Sequence, residues 1–223
     1  MKLVAIIGSP RGMAGNTGTV LEALLHGARG SGADVTTFSL AELDVQPCTG
    51  CEACHITGNC PTSDDFAPIL AAMSEADGLV LASPNYIRNV SAQMKALLDR
   101  CSGPIHTQTL AGKYAAALVT AGGADDDSVD TYLLRALRLL GYTTVGSVNT
   151  PAFLLFRPDT REAVLTSAAD LGRNLVDAIR TQQRFPAQDA ERSAIITRMR
   201  QIVTMNKERW AYEYGVWAER ESH

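Results

Sequence analysis

Residues 3–17 read Leu-Val-Ala-Ile-Ile-Gly-Ser-Pro-Arg-Gly-Met-Ala-Gly-Asn-Thr, and this stretch decides the fold. Five apolar residues without polar alternation describe a strand buried on both faces, as in a parallel sheet covered by helices on either side. The chain then turns through glycines and hydroxyl residues into a helix, with Asn16 or Thr17 as the expected cap. Free backbone N–H groups at a helix start attract an anion, and Arg11 adds a fixed positive charge. Gly8, Gly12 and Gly15 are separated by three and two residues, which is not the dinucleotide fingerprint, and no Gly-Lys-Ser/Thr follows. Such a loop suits the phosphate of a flavin mononucleotide; an ordinary strand-to-helix turn is the plain alternative.

The rest of the chain alternates in the same way. Val20, Leu21, Leu24 and Leu25 recur at helical spacing until Gly30 and Gly32. Residues 35–40 read as a second strand. Asp64 and Asp65 suit the first turn of a helix through Phe66, Ile69, Leu70 and Met73. Residues 79–82 give a third strand, and Ser91 caps a helix carrying Met94, Leu97 and Leu98. Strands at 114–120 and 143–148 and helices at 129–140 and 161–180 complete the pattern. The expected fold is a doubly wound, five-stranded parallel α/β sheet whose ligands sit at the carboxyl ends of the strands. Loops 9–17, 83–90 and 120–125 occupy those positions.

At 223 residues with 46% hydrophobic content, the chain fits one domain with an appendage. Residues 1–182 form the expected core, with a loop at 46–62 inserted after the second strand. Residues 187–221 read as an amphipathic helical extension. There Ile195, Met199, Ile202, Trp210, Tyr214 and Trp217 make an apolar stripe, a packed face rather than a cofactor box. The extension packs back on the core or forms a subunit interface. A net charge of −4 spread over both signs gives no basic face for nucleic acid, and no apolar run reaches membrane-span length. Lys2 and the apolar run behind it are too short for a signal peptide, so the expected location is the cytoplasm.

In that compartment five cysteines point to metal or redox chemistry before structural disulfides. Cys48, Cys51, Cys54 and Cys60 form C-x2-C-x2-C-x5-C with Pro61 after the fourth. Four thiolates this close converge on one soft centre, and a compact run ending in Cys-Pro is the ferredoxin manner of holding a [4Fe–4S] cluster. Zinc and free redox thiols are the alternatives. Gly50 and Gly58 give the backbone room to wrap. His55 inside the loop reads as a ligand or proton donor on one view and as a solvated side chain on the commoner one. Cys101, beside Leu97 and Leu98, reads as a buried inert thiol.

These residues carry a resemblance. Gly-Ser-Pro-Arg running to Gly15-Asn16-Thr17, the turn Ser83-Pro84-Asn85-Tyr86, and Ser91-Ala92-Gln93-Met94-Lys95 resemble the NADPH-dependent FMN reductase superfamily of flavodoxin-like proteins, over roughly residues 1–150. The cysteine loop and the tail rich in Trp and Tyr are similar to its iron–sulfur flavoproteins. The resemblance implies that Ser9, Arg11, Asn16 and Thr17 bind the FMN phosphate. Ser83, Pro84, Asn85 and Tyr86 would line the isoalloxazine, with Gly122 and Gly123 at its other edge. It further implies a [4Fe–4S] cluster on Cys48, Cys51, Cys54 and Cys60, and a homodimer or homotetramer. Electrons would pass from a ferredoxin-like or NAD(P)H donor to a small-molecule acceptor, with the flavin rather than a catalytic side chain doing the chemistry. Arg88 would receive an anionic substrate or nicotinamide phosphate, or stand in solvent. A cluster-free NAD(P)H-dependent FMN or quinone reductase and a non-catalytic flavin- or zinc-binding module are the competing functions.

Overall fold

The computed structural model describes residues 1–123 and 127–222, apart from the side chain of Glu221. Its strands are β1 (Lys2–Ile7), β2 (Asp34–Ser39), β3 (Gly78–Pro84), β4 (Tyr114–Ala121) and β5 (Thr143–Pro151). Its helices are α1 (Asn16–Gly30), α2 (Ala53–Thr57), α3 (Phe66–Glu75), α4 (Ala92–Asp99), α5 (Ser102–Thr107), α6 (Ser128–Leu139), α7 (Pro158–Thr181), α8 (Pro186–Met205) and α9 (Ala211–Glu221). The strands pair in the order β2-β1-β3-β4-β5, and all neighbours are parallel. The order reverses between β1 and β3, and in open sheets of this kind ligands bind outside the carboxyl ends at such a point.

Successive strand residues face opposite sides, so the unbroken apolar run of β1 serves two cores. Leu3, Ala5 and Ile7 pack with α1 and α7 on one face, while Val4 and Ile6 pack with α3, α4 and α6 on the other. Where α1 crosses α7, their backbones nearly touch. A Cβ on Gly172 would stand 2.0 Å from the carbonyl oxygen of Leu24, and one on Gly27 would stand 2.1 Å from that of Ala169.

Two helix-start assignments change. Gly15, not Asn16 or Thr17, is the N-cap of α1, and no side chain caps it. Thr17 lies inside the helix and pairs its hydroxyl with that of Thr120 at 2.7 Å, a tertiary partner that local sequence does not show. Asp64 and Asp65 precede α3 instead of lying in its first turn. Asp64 accepts from the Phe66 N–H at 3.1 Å, and Asp65 accepts from the Asp44 N–H at 2.7 Å, which ties the ends of the intervening loop together. Ser91 caps α4 as expected, accepting from the Met94 N–H at 3.2 Å.

Helices α2 and α5 carry no periodic signal because each is a turn or two long and depends on its neighbours. The extension folds back: α8 and α9 pack on α2, α5 and α6 and bury Met199, Val203 and Trp217. No helix among the described residues is long and apolar enough to cross a membrane.

The α1–α7 crossing yields a stability test. Replacing Gly172 with Val is expected to cost about 3 kcal/mol through backbone displacement, which for a chain of this size lowers the thermal midpoint by roughly 6–12 °C, measured by calorimetry. An unchanged midpoint would contradict the close approach.

Candidate functional site

Loop 9–17 leaves β1, turn 83–86 closes β3, and Gly122 and Gly123 follow β4, so the three converge on one edge of adjacent strands. Hydrogen bonds lock them together. The Gly8 N–H donates to the Ala82 carbonyl at 2.8 Å, and the Asn85 N–H donates to that of Thr120 at 2.8 Å. Ser9 is buried, with its hydroxyl accepting from the Arg11 N–H at 3.2 Å, and the chain coils into a 3-10 turn at Gly12–Ala14. No side chain caps α1, and an uncapped helix start is a place whose N–H groups suit an anion.

The burial of the expected flavin residues separates them into three sets. Ser9, Thr17, Ser83 and Pro84 are buried, whereas Arg11, Tyr86, Gly122 and Gly123 are exposed and Asn16 and Asn85 are half-buried. The Ser83 hydroxyl donates to the Pro84 carbonyl at 2.9 Å and accepts from the Ser91 N–H at 3.0 Å, so it holds the turn. Tyr86 and Asn89 exchange two backbone hydrogen bonds across Ile87 and Arg88, both left-handed at φ 52° and 57°, and Arg88 is exposed at the tip. Ala124 and Asp125 of the expected third loop lie outside the described residues.

Cys48, Cys51, Cys54 and Cys60 are free thiols that line one cavity of about 390 Å³. Arg100, at the end of α4, forms part of its wall. The guanidinium donates to the Cys60 sulfur at 3.1 Å, forms an ion pair with Asp64, and lies over the Phe66 ring with 4.3 Å to the centroid. These surroundings split the thiols. Burial pushes the Cys60 thiol up, but hydrogen bonds from the Thr62 backbone and Arg100 outweigh it and hold Cys60 below the usual thiol range. Cys54 is raised, by burial first and then by the Glu213 carboxylate and by Cys60. Four reduced sulfurs on one cavity, one of them facing a cation, form a donor set that fits a thiolate-bound metal centre.

His55 is buried rather than solvated, which corrects the commoner sequence reading. Its Nδ1 lies 2.5 Å from one oxygen of Glu213, and Nδ1 of His106 lies 3.0 Å from the other. The two rings stack at 4.8 Å, and Trp210 closes over both at 4.7 and 5.0 Å. Each carboxylate oxygen has its own imidazole at hydrogen-bond distance, so the trio is a closed clamp between α2, α5 and α9. The Trp217 indole donates to the His106 carbonyl at 3.1 Å, and that of Trp210 donates to Glu52 at 3.2 Å. His106 and Glu213 escaped sequence reasoning; only the aromatic stripe of the tail hinted at this packing. Cys101 is buried as expected, and burial raises its thiol to about 12.

The parallel order β2-β1-β3-β4-β5, with helices on both faces and loops meeting at the strand ends, defines a flavodoxin-like fold, and the family match makes the chain a flavin-dependent oxidoreductase. The chain belongs to the NADPH-dependent FMN reductase family, which matches residues 1–152. It is 32% identical over 208 residues to an iron-sulfur flavoprotein of Archaeoglobus fulgidus, covering 93% of this chain and 91% of that one. The fold is similar to that of RosB, solved with a bound riboflavin-phosphate intermediate, with a TM-score of 0.68 and 16% identity over 89% of this chain and 86% of that one. An archaeal flavodoxin superposes with a TM-score of 0.53 and 17% identity over 81% of this chain and 99% of that one.

Two outcomes are expected. At pH 8, some four units below the Cys101 value of about 12, roughly one thiol in ten thousand is ionised. Iodoacetamide should therefore label the exposed Cys48 and Cys51 in the folded metal-free chain and reach Cys101 only after denaturation, as read by mass spectrometry. Glu213→Ala strands two imidazoles without their acceptor and should cost about 2 kcal/mol, read by urea unfolding.

Proposed function

We propose that this oxidoreductase passes electrons from a ferredoxin-like or NAD(P)H donor to a small-molecule acceptor through FMN at the carboxyl ends of β1, β3 and β4, with a [4Fe–4S] cluster on Cys48, Cys51, Cys54 and Cys60 as relay. The observation that carries the cluster is the set of four free thiols on one cavity beside the buried Arg100. The iron-sulfur flavoprotein name of the relative supports the same reading. The flavin supplies two-electron or stepwise one-electron chemistry and the cluster supplies one-electron transfer.

The chain's residues bind and orient. The uncapped start of α1, with Arg11 and Asn16 at the loop, would receive the phosphate, as backbone N–H groups and a fixed cation suit an anion. Asn85 and the exposed face of Tyr86 would lie along the isoalloxazine, and Gly122 and Gly123, whose backbone is open to solvent, would admit its far edge. Ser9, Thr17, Ser83 and Pro84 would act from beneath, by fixing the loops that make those contacts. Arg88, at the tip of the turn, would meet an anionic donor or acceptor.

The test is an absorption spectrum of anaerobically purified protein with iron, sulfide, zinc and flavin quantified on the same sample. Flavin bands with about four irons per chain are the expected result. Flavin without iron after reconstitution would convert the reading to a cluster-free reductase, and stoichiometric zinc without reduction by any donor would convert it to a binding module. Cys51→Ala should lose the cluster and keep the flavin; full iron and sulfide in that variant would overturn the ligand assignment.

A further inference from the structure

We infer that Arg100 is a positioning residue for the cysteine-held centre, placed to raise its reduction potential by donating a charge-assisted hydrogen bond to the Cys60 thiolate. The inference rests on the proposed cluster, but the geometry behind it belongs to the protein alone. The Arg100 side chain is 2% exposed and that of Asp64 is 0% exposed. One terminal nitrogen of the guanidinium serves Asp64 and the Gln46 carbonyl, at 3.4 Å from the latter, while the other donates to the Cys60 sulfur at 3.1 Å.

A guanidinium that served only to neutralise a buried carboxylate would close on it with both terminal nitrogens, the bidentate geometry that such pairs favour. Here the fork is split between a carboxylate and a thiol. The Phe66 ring beneath it, 4.3 Å from the guanidinium carbon to the ring centroid, fixes the plane. The Arg100 Nε is also buried and has no acceptor among the described residues, so the two terminal nitrogens make all of the guanidinium's polar contacts.

The electrostatic consequence has a definite sign. Were the centre held there, reduction by a one-electron donor would add one negative charge to it and its thiolates and would move no proton at Arg100, which stays charged throughout. A fixed cation hydrogen-bonded to one of those sulfurs stabilises the more negative state more, so the potential rises. Asp64 acts the other way, because its carboxylate offsets part of that cation's field. The two partners of one ion pair therefore push the centre in opposite directions.

The experiment is a mediated potentiometric titration of the full-length reconstituted protein, followed by electron paramagnetic resonance for the cluster and by absorption for the flavin. Arg100→Gln should shift the one-electron reduction equilibrium about tenfold toward the oxidised state, which is ~59 mV, and Asp64→Asn should shift it toward the reduced state. Arg100→Lys, which keeps the charge without the fork, should fall between wild type and Arg100→Gln, with the flavin midpoint unmoved throughout. If Arg100→Gln fails to hold the cluster because Asp64 is left unpaired, the Arg100→Gln/Asp64→Asn double variant leaves no buried charge alone and should still favour the oxidised state. A full complement of iron with an unmoved potential, or a shift of the same sign in both single variants, would overturn the role of Arg100 while leaving the cluster reading intact. A wild-type protein that takes up no iron and sulfide would remove both.

Discussion

Five strands running in one direction place all their carboxyl ends on a single edge of the sheet, and the chemistry of this chain depends on that. Parallel strands need crossovers, the crossovers here are helices, and helices on both faces demand strands that are apolar on both sides. The run Leu3 to Ile7 meets the demand, and its burial fixes where the chain must emerge: at Gly8, beside the end of β3. Every loop expected to touch the flavin inherits its position from that alignment. The hydrogen bonds from Gly8 to Ala82 and from Asn85 to Thr120 extend the sheet's own pairing by one step past its edge.

The cysteine loop is held by different physics. It leaves β2, the edge strand, and has little regular structure beyond the short helix α2. A segment of this kind is ordered only if something offsets its conformational entropy. Two buried charged assemblies do so from opposite ends. Asp64 and Arg100 join the end of the loop to α4, and Glu213 joins His55 in its middle to α5 and α9. Both bring a charge into the interior, where an unmatched partner is costly, so each assembly defines one arrangement of the loop more sharply than apolar packing would. The helical extension is thus part of the wall around the thiols: Tyr212 lines their cavity.

The flavin side of the molecule was largely legible because its signals are local. A buried strand, a glycine turn and a helix start occupy fifteen consecutive residues, and Ser91 announces α4 three residues before the N–H that it caps. The errors there were also local. Asn16 and Thr17 are good capping residues by type, yet Gly15 takes the position, and the Thr17 hydroxyl pairs with Thr120 on β4. The cysteine side was legible only as a list of thiols. Nothing near His55 in sequence reveals a carboxylate at position 213, and nothing near Cys60 reveals a guanidinium at position 100.

By itself the sequence determined the parallel α/β architecture, the three loops at one edge, the four-thiol motif and the inert burial of Cys101, because strand periodicity, turn residues and cysteine spacing act over short distances along the chain. Only the tertiary structure decided the direction in which the tail folds, the pairing of Arg100 with both Asp64 and Cys60, and the closure of two histidines and a tryptophan around Glu213. Those contacts join residues 36 to 158 positions apart. Their existence depends on where helices pack and on the need of each buried charge for a partner, and a linear pattern encodes neither.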